Sequence, residues 1–249
     1  MTDEFADTLL WILEPPRANA VDILRVHEAS YYSRIEELIM TLPEDKIKLL
    51  DSDTSLSHKS WEAAFYAAGA VTNAVDNVMK GHNRNAFCLI RPPGHHSGPT
   101  GAVASELDRS QTSNGFCLFN NIAIGAAYAK CVYRDIIKKV AIIDFDVHHG
   151  NGTQEIVENL NLRVVKDSFV ATVPLVKLEY RFYKPWLNED DSKNVLFISS
   201  HGFGHASGKM FYPASGEEVK DDDNLPGGIL NIPLEYGTDS STFRKVYRD

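Results

Sequence analysis

The chain has 249 residues, of which 43% are apolar and 24% charged, a composition that excludes a disordered or fibrous protein. The formal net charge of −9 argues against direct nucleic-acid binding and favours a basic peptide as partner. The three cysteines have no C-x-x-C spacing, which favours buried thiols in a reducing compartment. An acidic N-terminus and the lack of an apolar run of about 18 residues predict no export and no membrane partner.

The predicted helices come first in chain order. Apolar residues recur at three- and four-residue steps from Val21 to Leu38, a pattern typical of a helix packed on a core. A second helix is predicted from Ser60 to Gly81, where glycine suits a left-handed cap. A third begins after NGFCLF, with Asn120 or Asn121 as its N-terminal cap.

Four short apolar runs predict buried strands, at residues 86–90, 140–145, 195–199 and 228–234. Their alternation with helices indicates an α/β fold with a mostly parallel sheet. No linker divides the chain, so one domain over residues 1–249 is expected. Residues 184–194 and 215–225 are polar and are expected to form solvated surface loops.

The segment IIDFDVHHGNG, residues 142–152, carries the strongest chemical signal. Side chains alternate along a strand, so Asp144, Asp146 and His148 should lie on one side where the strand ends. Ligands bind at that edge of a parallel sheet, and a carboxylate with an imidazole two residues away suits Zn²⁺ or Fe²⁺. A hydrogen-bonded polar cluster without a metal is the alternative.

A second segment, RPPGHHSG at residues 91–98, follows the first predicted strand. His95 and His96 could serve as base and acid, although an isolated His-His pair is also common in surface loops. Both segments should converge on the same edge of one sheet, as active-site residues from distant parts of a sequence do.

These two segments and NGFCLFNNIAIGAAYA, in this order and at these intervals, resemble the zinc-dependent histone deacetylase family. The segment DSDTSLSHKSWEAAFYAAGAV and the HHGNG sequence are similar to its class II branch. The resemblance implies the arginase/deacetylase fold, with helices on both faces of the sheet.

The resemblance also implies a role for each matching residue. His95 and His96 match tandem histidines that act as a general base and as a general acid or electrostatic partner, with Asp144 and Asn151 behind them. Asp146 and His148 match two zinc ligands. The remaining matches are a structural potassium site at Asp144, Ser199 and Ser200, and a substrate tunnel formed by Gly115, Phe116 and Tyr212.

The chain departs from the family pattern in three places. The family's third zinc ligand is an aspartate, but the segment HGFGHASG has Gly204 at the position where that aspartate would be needed. The family's oxyanion donor is a tyrosine in a Gly-Gly-Tyr loop, and Pro226-Gly227-Gly228-Ile229 does not contain it. Residues 163–194 are expected to be an insertion. We therefore expect a deacetylase domain that is incomplete on its C-terminal side, and weak or inactive alone because two ligands hold zinc poorly.

The expected activity is hydrolysis of acetyl-lysine in histone tails or other proteins, in the nucleus, the cytoplasm or both, with corepressor-type proteins as further partners. One alternative is an acetylpolyamine or other small-amide hydrolase on the same scaffold. Another is a catalytically inactive module that binds acetyl-lysine. An arginase-like reaction would need a second metal and more acidic ligands.

Overall fold

The structure, a computed structural model, describes residues 8–105, 107–108, 112–170, 175–206, 208–218, 228–246 and 248. The helices are α1 Ala20–Leu24, α2 Ala29–Met40, α3 Ser60–Met79, α4 Asn121–Val132, α5 Asn151–Glu158, α6 Asp191–Asn194 and α7 Ser240–Val246. The strands are β1 Ile47–Leu49, β2 Ser55–Ser57, β3 Ser97–Gly98, β4 Gly101–Ala102, β5 Val140–Asp144, β6 Arg163–Val170, β7 Leu175–Phe182, β8 Val195–Phe203, β9 His205–Ala206, β10 Lys209–Met210 and β11 Ile229–Glu235.

A parallel sheet with the strand order β11-β8-β5 carries the site. In its register Ser199 of β8 lies opposite both Asp144 of β5 and Asn231 of β11. The carboxyl ends of β5 and β8 therefore meet at one edge. This confirms the predicted α/β fold with a parallel sheet and three of the four predicted strands.

The prediction of a strand at residues 86–90 is wrong. The segment forms no strand ladder within the described ranges, and Phe87 and Leu89 are 87% and 77% exposed. On the far edge of the sheet, β5 likewise pairs with no second described strand, and Ile143 is exposed. An apolar run becomes a buried strand only where a neighbouring strand takes its backbone hydrogen bonds, and sequence periodicity does not reveal that neighbour.

The helical pattern before residue 40 is divided between α1 and α2, because Glu28 adopts an extended backbone with φ −70° and ψ 143°. Helix α3 ends as predicted, and Gly81 has φ 75°. Helix α4 begins with the predicted cap: the Ala123 N–H donates to the side-chain oxygen of Asn120 at 3.1 Å. No helix in the described ranges is long and apolar enough to cross a bilayer.

The core lies between the helices and one face of the sheet. Helix α3 packs along α4, and rings of Trp61, Phe65 and Phe119 meet with centroids 4.9 to 5.9 Å apart. Small residues allow this close contact, since a Cβ on Gly125 would lie 2.5 Å from a methyl of Val71. The same face of the sheet buries Ile142 and Phe197.

Residues 163–194 contain the hairpin β6–β7, whose strands pair with each other and with no other described strand, and the short helix α6. The expected solvated loop at 184–194 is partly wrong. Asp191 is fully buried and its carboxylate lies 3.2 Å from the Lys130 ammonium, which is 3% exposed. Asp191 is therefore buried as the partner of the Lys130 ammonium on α4 and is not part of a solvated loop. The other expected loop, 215–225, falls largely outside the described residues.

Candidate active site at the carboxyl edge of the sheet

The chain turns sharply where β5 ends. The Asp146 N–H donates to the Asp144 carboxylate at 3.1 Å, and the His148 N–H donates to the Asp146 carboxylate at 2.8 Å. These two hydrogen bonds fix the turn that carries Asp146 and His148 beyond the end of the strand. Gly150 closes the turn, because a Cβ there would lie 2.3 Å from a carboxylate oxygen of Asp144.

The predicted histidine pair meets these residues. Nδ1 of His95 lies 2.8 Å from the Asp144 carboxylate, and Nδ1 of His96 lies 2.8 Å from the side-chain oxygen of Asn151. The ring centroids of His95 and His96 are 4.0 Å apart, and that of His96 is 6.0 Å from His148. Five residues from two distant segments thus surround one space.

The two histidines experience different electrostatic environments. Burial favours the neutral ring of His95, but the hydrogen bond and charge of Asp144, with the charge of Asp146, outweigh it and raise the pKa of His95. Burial and the neighbouring His95 lower the pKa of His96 to about 3, because the amide of Asn151 brings no charge. At neutral pH His96 is therefore uncharged, whereas His95 binds a proton more readily.

Asp146 and His148 have the donor types of a zinc site. Their side chains are 50% and 40% exposed, and Nδ1 of His148 lies 3.4 Å from a carboxylate oxygen of Asp146. The hydrogen bond from His148 holds the pKa of Asp146 well below its usual range, so the carboxylate is ionised. A catalytic zinc needs three protein ligands. The described residues contain no group of three or more metal-binding side chains. Asp146 and His148 therefore have the donor atoms that zinc prefers, but a third ligand is missing from the described part of the chain.

The predicted potassium residues lie beneath this site. Ser199 is fully buried opposite Asp144, and Ser200 is 4% exposed. The Ser199 hydroxyl lies 2.9 Å from Nδ1 of His201, a histidine that the sequence analysis did not single out. A hydroxyl already bonded to an imidazole gives no sign of a cation, so the potassium site stays a prediction.

The predicted tunnel residues border the histidine pair. A Cβ on Gly115, with φ 51°, would lie 2.3 Å from the His96 ring, so glycine allows this approach. The Tyr212 ring centroid is 5.0 Å from His96 and 5.4 Å from His148, and burial raises its pKa, which keeps the phenol neutral. Phe116 is 53% exposed beside a cavity of about 340 Å³. That cavity is lined by Asp53, Ser55, Ala63, Arg91, Pro92 and Phe116.

Sequence reasoning missed several residues around this space. The Phe211 ring lies 5.6 Å from His148, and Asp51 and Thr54 bond the loop that carries Phe116. Phe211 could have been found beside Tyr212 in the sequence. Asp51 and Thr54 lie about sixty residues from their partners, and no local pattern reports such a contact.

A parallel α/β sheet with paired histidines, carboxylates and an imidazole at its carboxyl edge defines the arginase/deacetylase fold class. The particular family follows from the sequence as well. The profile of the histone deacetylase domain matches residues 2–249, and the chain belongs to that family.

Named relatives agree with this assignment. The chain is 34% identical to type-2 histone deacetylase 2 of Dictyostelium discoideum over 92% of its length and 13% of the relative's. It is 39% identical to the histone deacetylase-like amidohydrolase of Pseudomonas aeruginosa, over 92% of this chain and 46% of the relative. It is 34% identical to polyamine deacetylase HDAC10 of Danio rerio, over 75% of this chain and 25% of the relative. The crystal structure of the HDA15 HD domain superposes with a TM-score of 0.62 at 29% identity, over 89% of this chain and 48% of that one. The chain thus spans about half the length of these proteins, or less. Membership supports hydrolase chemistry.

Proposed function

We propose that this chain carries the catalytic centre of a zinc-dependent deacetylase that hydrolyses acetyl-lysine in histone tails or other proteins. One observation supports this most directly: two adjacent histidines, one hydrogen-bonded to the Asp144 carboxylate and the other to the Asn151 amide, lie beside the segment of Asp146 and His148. An acid and a base held at different pKa values within one site are what amide hydrolysis by water requires.

His95 and His96 have different hydrogen-bond partners, and in this proposal they therefore have different roles. His96 is uncharged at neutral pH and can accept the proton of the attacking water. It can then give that proton to the lysine nitrogen as the carbon–nitrogen bond breaks, which releases acetate and the free amine. Asp144 raises the pKa of His95, and a protonated His95 would stabilise the oxyanion that forms during attack. Bound zinc would supply Lewis-acid polarisation of the acetyl carbonyl, held by Asp146, His148 and a third donor from outside the described residues.

Phe116 and Tyr212 set the substrate class in this proposal. Their rings offer apolar surface to the methylene stem of a lysine. A free ammonium would lose its hydration against such a wall, whereas the neutral acetylated amide costs much less to desolvate. The tunnel would therefore admit lysine only after acetylation.

The test uses the purified chain with added zinc and an acetylated lysine-rich peptide, and measures zinc affinity and acetate release. We expect weak zinc binding and slow turnover, both abolished in the double variant Asp146→Asn/His148→Asn, and turnover abolished in His96→Ala. Asp239→Asn, at an exposed turn before α7, is the control. A chain that binds neither zinc nor the peptide would overturn the proposal.

The relative named a polyamine deacetylase supports a second candidate, hydrolysis of acetylpolyamines. Asp53 at the cavity beside Phe116 could attract a polyamine cation, but Arg91 lines the same cavity and opposes it. Acetylspermidine in parallel with the peptide distinguishes the two by relative kcat/KM. Saturable peptide binding without acetate release, even at saturating zinc, would instead identify an inactive acetyl-lysine-binding module.

A further inference from the structure

Two loops distant in sequence are joined at the mouth of the proposed tunnel. The first is the 51–54 loop, between β1 and β2, and the second is the 113–116 loop, which carries Gly115 and Phe116. The backbone N–H of Asn114 donates to Asp51 Oδ2 at 2.8 Å, and its side-chain amide donates to the same oxygen at 2.7 Å. One carboxylate oxygen of Asp51 therefore accepts hydrogen bonds from both the backbone and the side chain of Asn114.

The same carboxylate also orders its own loop. Its second oxygen accepts the N–H groups of Asp53 at 3.2 Å and Thr54 at 2.8 Å. Burial by itself would raise the pKa of Asp51, but these donors and those of Asn114 lower it to about 2. The carboxylate is therefore ionised at neutral pH, and hydrogen bonds to an ionised acceptor are stronger than those between neutral groups.

Thr54 makes the contact nearest the tunnel. Its hydroxyl accepts the N–H of Phe116 at 3.0 Å and donates to the Asp53 carboxylate at 3.0 Å, and the residue is only 1% exposed. The Ser113 hydroxyl also bonds the Asp53 carboxylate. The backbone on both sides of Gly115 is thus tied to the 51–54 loop.

Phe116 needs this support because of its backbone. Gly115 has φ 51° and Phe116 has φ 67°, and residues other than glycine rarely occupy that region. Such a conformation persists only where surrounding groups hold it. Phe116 is more than half exposed, so packing of the ring contributes little to holding it.

We propose that Asp51 and Thr54 are positioning residues: through hydrogen bonds to the 113–116 loop they fix Phe116 against the acetyl-lysine stem and so set substrate affinity. The inference rests on the proposed function, because it assumes that Phe116 is a tunnel wall. It assigns neither residue a part in the chemical step.

Thr54→Val is the sharpest test, because valine has nearly the same shape but cannot accept the Phe116 N–H. We expect hydrogen exchange of the amides at 114–117 to quicken about fivefold to tenfold, the equivalent of one lost hydrogen bond. The KM for an acetyl-lysine peptide should rise by a similar factor, while kcat stays nearly unchanged. Thr54→Ser, which restores the hydroxyl, should recover both values.

Asp51→Asn is the second variant, because an amide in place of the carboxylate loses charge and acceptor capacity toward Asn114. Its matched control is Asp239→Asn, which makes the same exchange at a carboxylate that caps the turn before α7 and should leave both readouts unchanged. A melting curve for each variant establishes that it is folded. Should Thr54→Val destabilise the whole chain, Asp51→Asn carries the test.

Unchanged exchange at 114–117 in a folded variant would overturn the proposal, and so would faster exchange with an unchanged KM. If wild type binds neither zinc nor an acetyl-lysine peptide, the proposed function is refuted. The exchange measurement then still decides whether the 51–54 loop holds Phe116 in place, because it needs no turnover.

Discussion

His27 connects the N-terminal helices to the segment that carries the histidine pair. The residue is fully buried, and its Nδ1 lies 2.9 Å from the carbonyl oxygen of Gly98. The Asn120 N–H donates to its Nε2 at 2.9 Å, so Nε2 must be unprotonated and Nδ1 must donate to Gly98. Burial lowers the pKa of His27 from its ordinary value of 6.5 to about 4.

This geometry predicts a specific dependence of stability on pH. When the pH falls below 6.5, His27 becomes protonated in the unfolded chain. In the folded chain it stays neutral until the pH approaches 4. The stabilisation is therefore complete above pH 6.5 and is lost as the pH falls toward the folded value. Between about pH 7 and about pH 5 the loss amounts to about 2 kcal/mol.

Urea unfolding of wild type and His27→Gln at both pH values measures this loss. Glutamine can still accept the Asn120 N–H but does not titrate, so wild type should lose its advantage over the variant by about 2 kcal/mol on acidification. His82→Gln, the same exchange at an exposed position after α3, is the control. A difference between wild type and His27→Gln that is the same at both pH values would refute the reasoning.

Three further predictions concern buried or crowded groups. Lys130→Met leaves Asp191 buried without its cation and should cost about 3–5 kcal/mol in urea unfolding. Adding Asp191→Asn, which removes the charge but keeps an oxygen for the N–H groups of Leu187 and Asn188, should restore most of the loss, and equal losses in both would contradict this. Gly152→Ala places a Cβ 2.4 Å from the backbone that carries the histidine pair and should cost about 2 kcal/mol or more, so an unchanged midpoint would show that the contact relaxes. Asp144→Asn should lower the pKa of His95 in the metal-free protein, as read by NMR, because burial is then opposed only by the charge of Asp146; an unchanged pKa would assign the shift to another group.

Local patterns were enough to predict much of the fold. Helix α3 follows from its small apolar face and Gly81, α4 from the Asn120 cap, and the parallel strands from short apolar runs between helices. The stretch 86–90 shows the limit of such patterns. Its residues are as apolar as those of β5, but a strand also needs a hydrogen-bonding neighbour, and that neighbour is not encoded in the run itself.

The candidate site shows the same division. Residue type and alternation identified the ligand segment at Asp146 and His148 and the histidine pair, since metal binding and proton transfer restrict which side chains can serve. The family resemblance already paired His95 with Asp144 and His96 with Asn151, but only the tertiary structure gave the burial and the hydrogen-bond distances that separate the pKa values of the two histidines. Only it brought Asp51 and Thr54 to Phe116, because contacts between loops about sixty residues apart depend on how helices and strands pack and leave no period in the sequence.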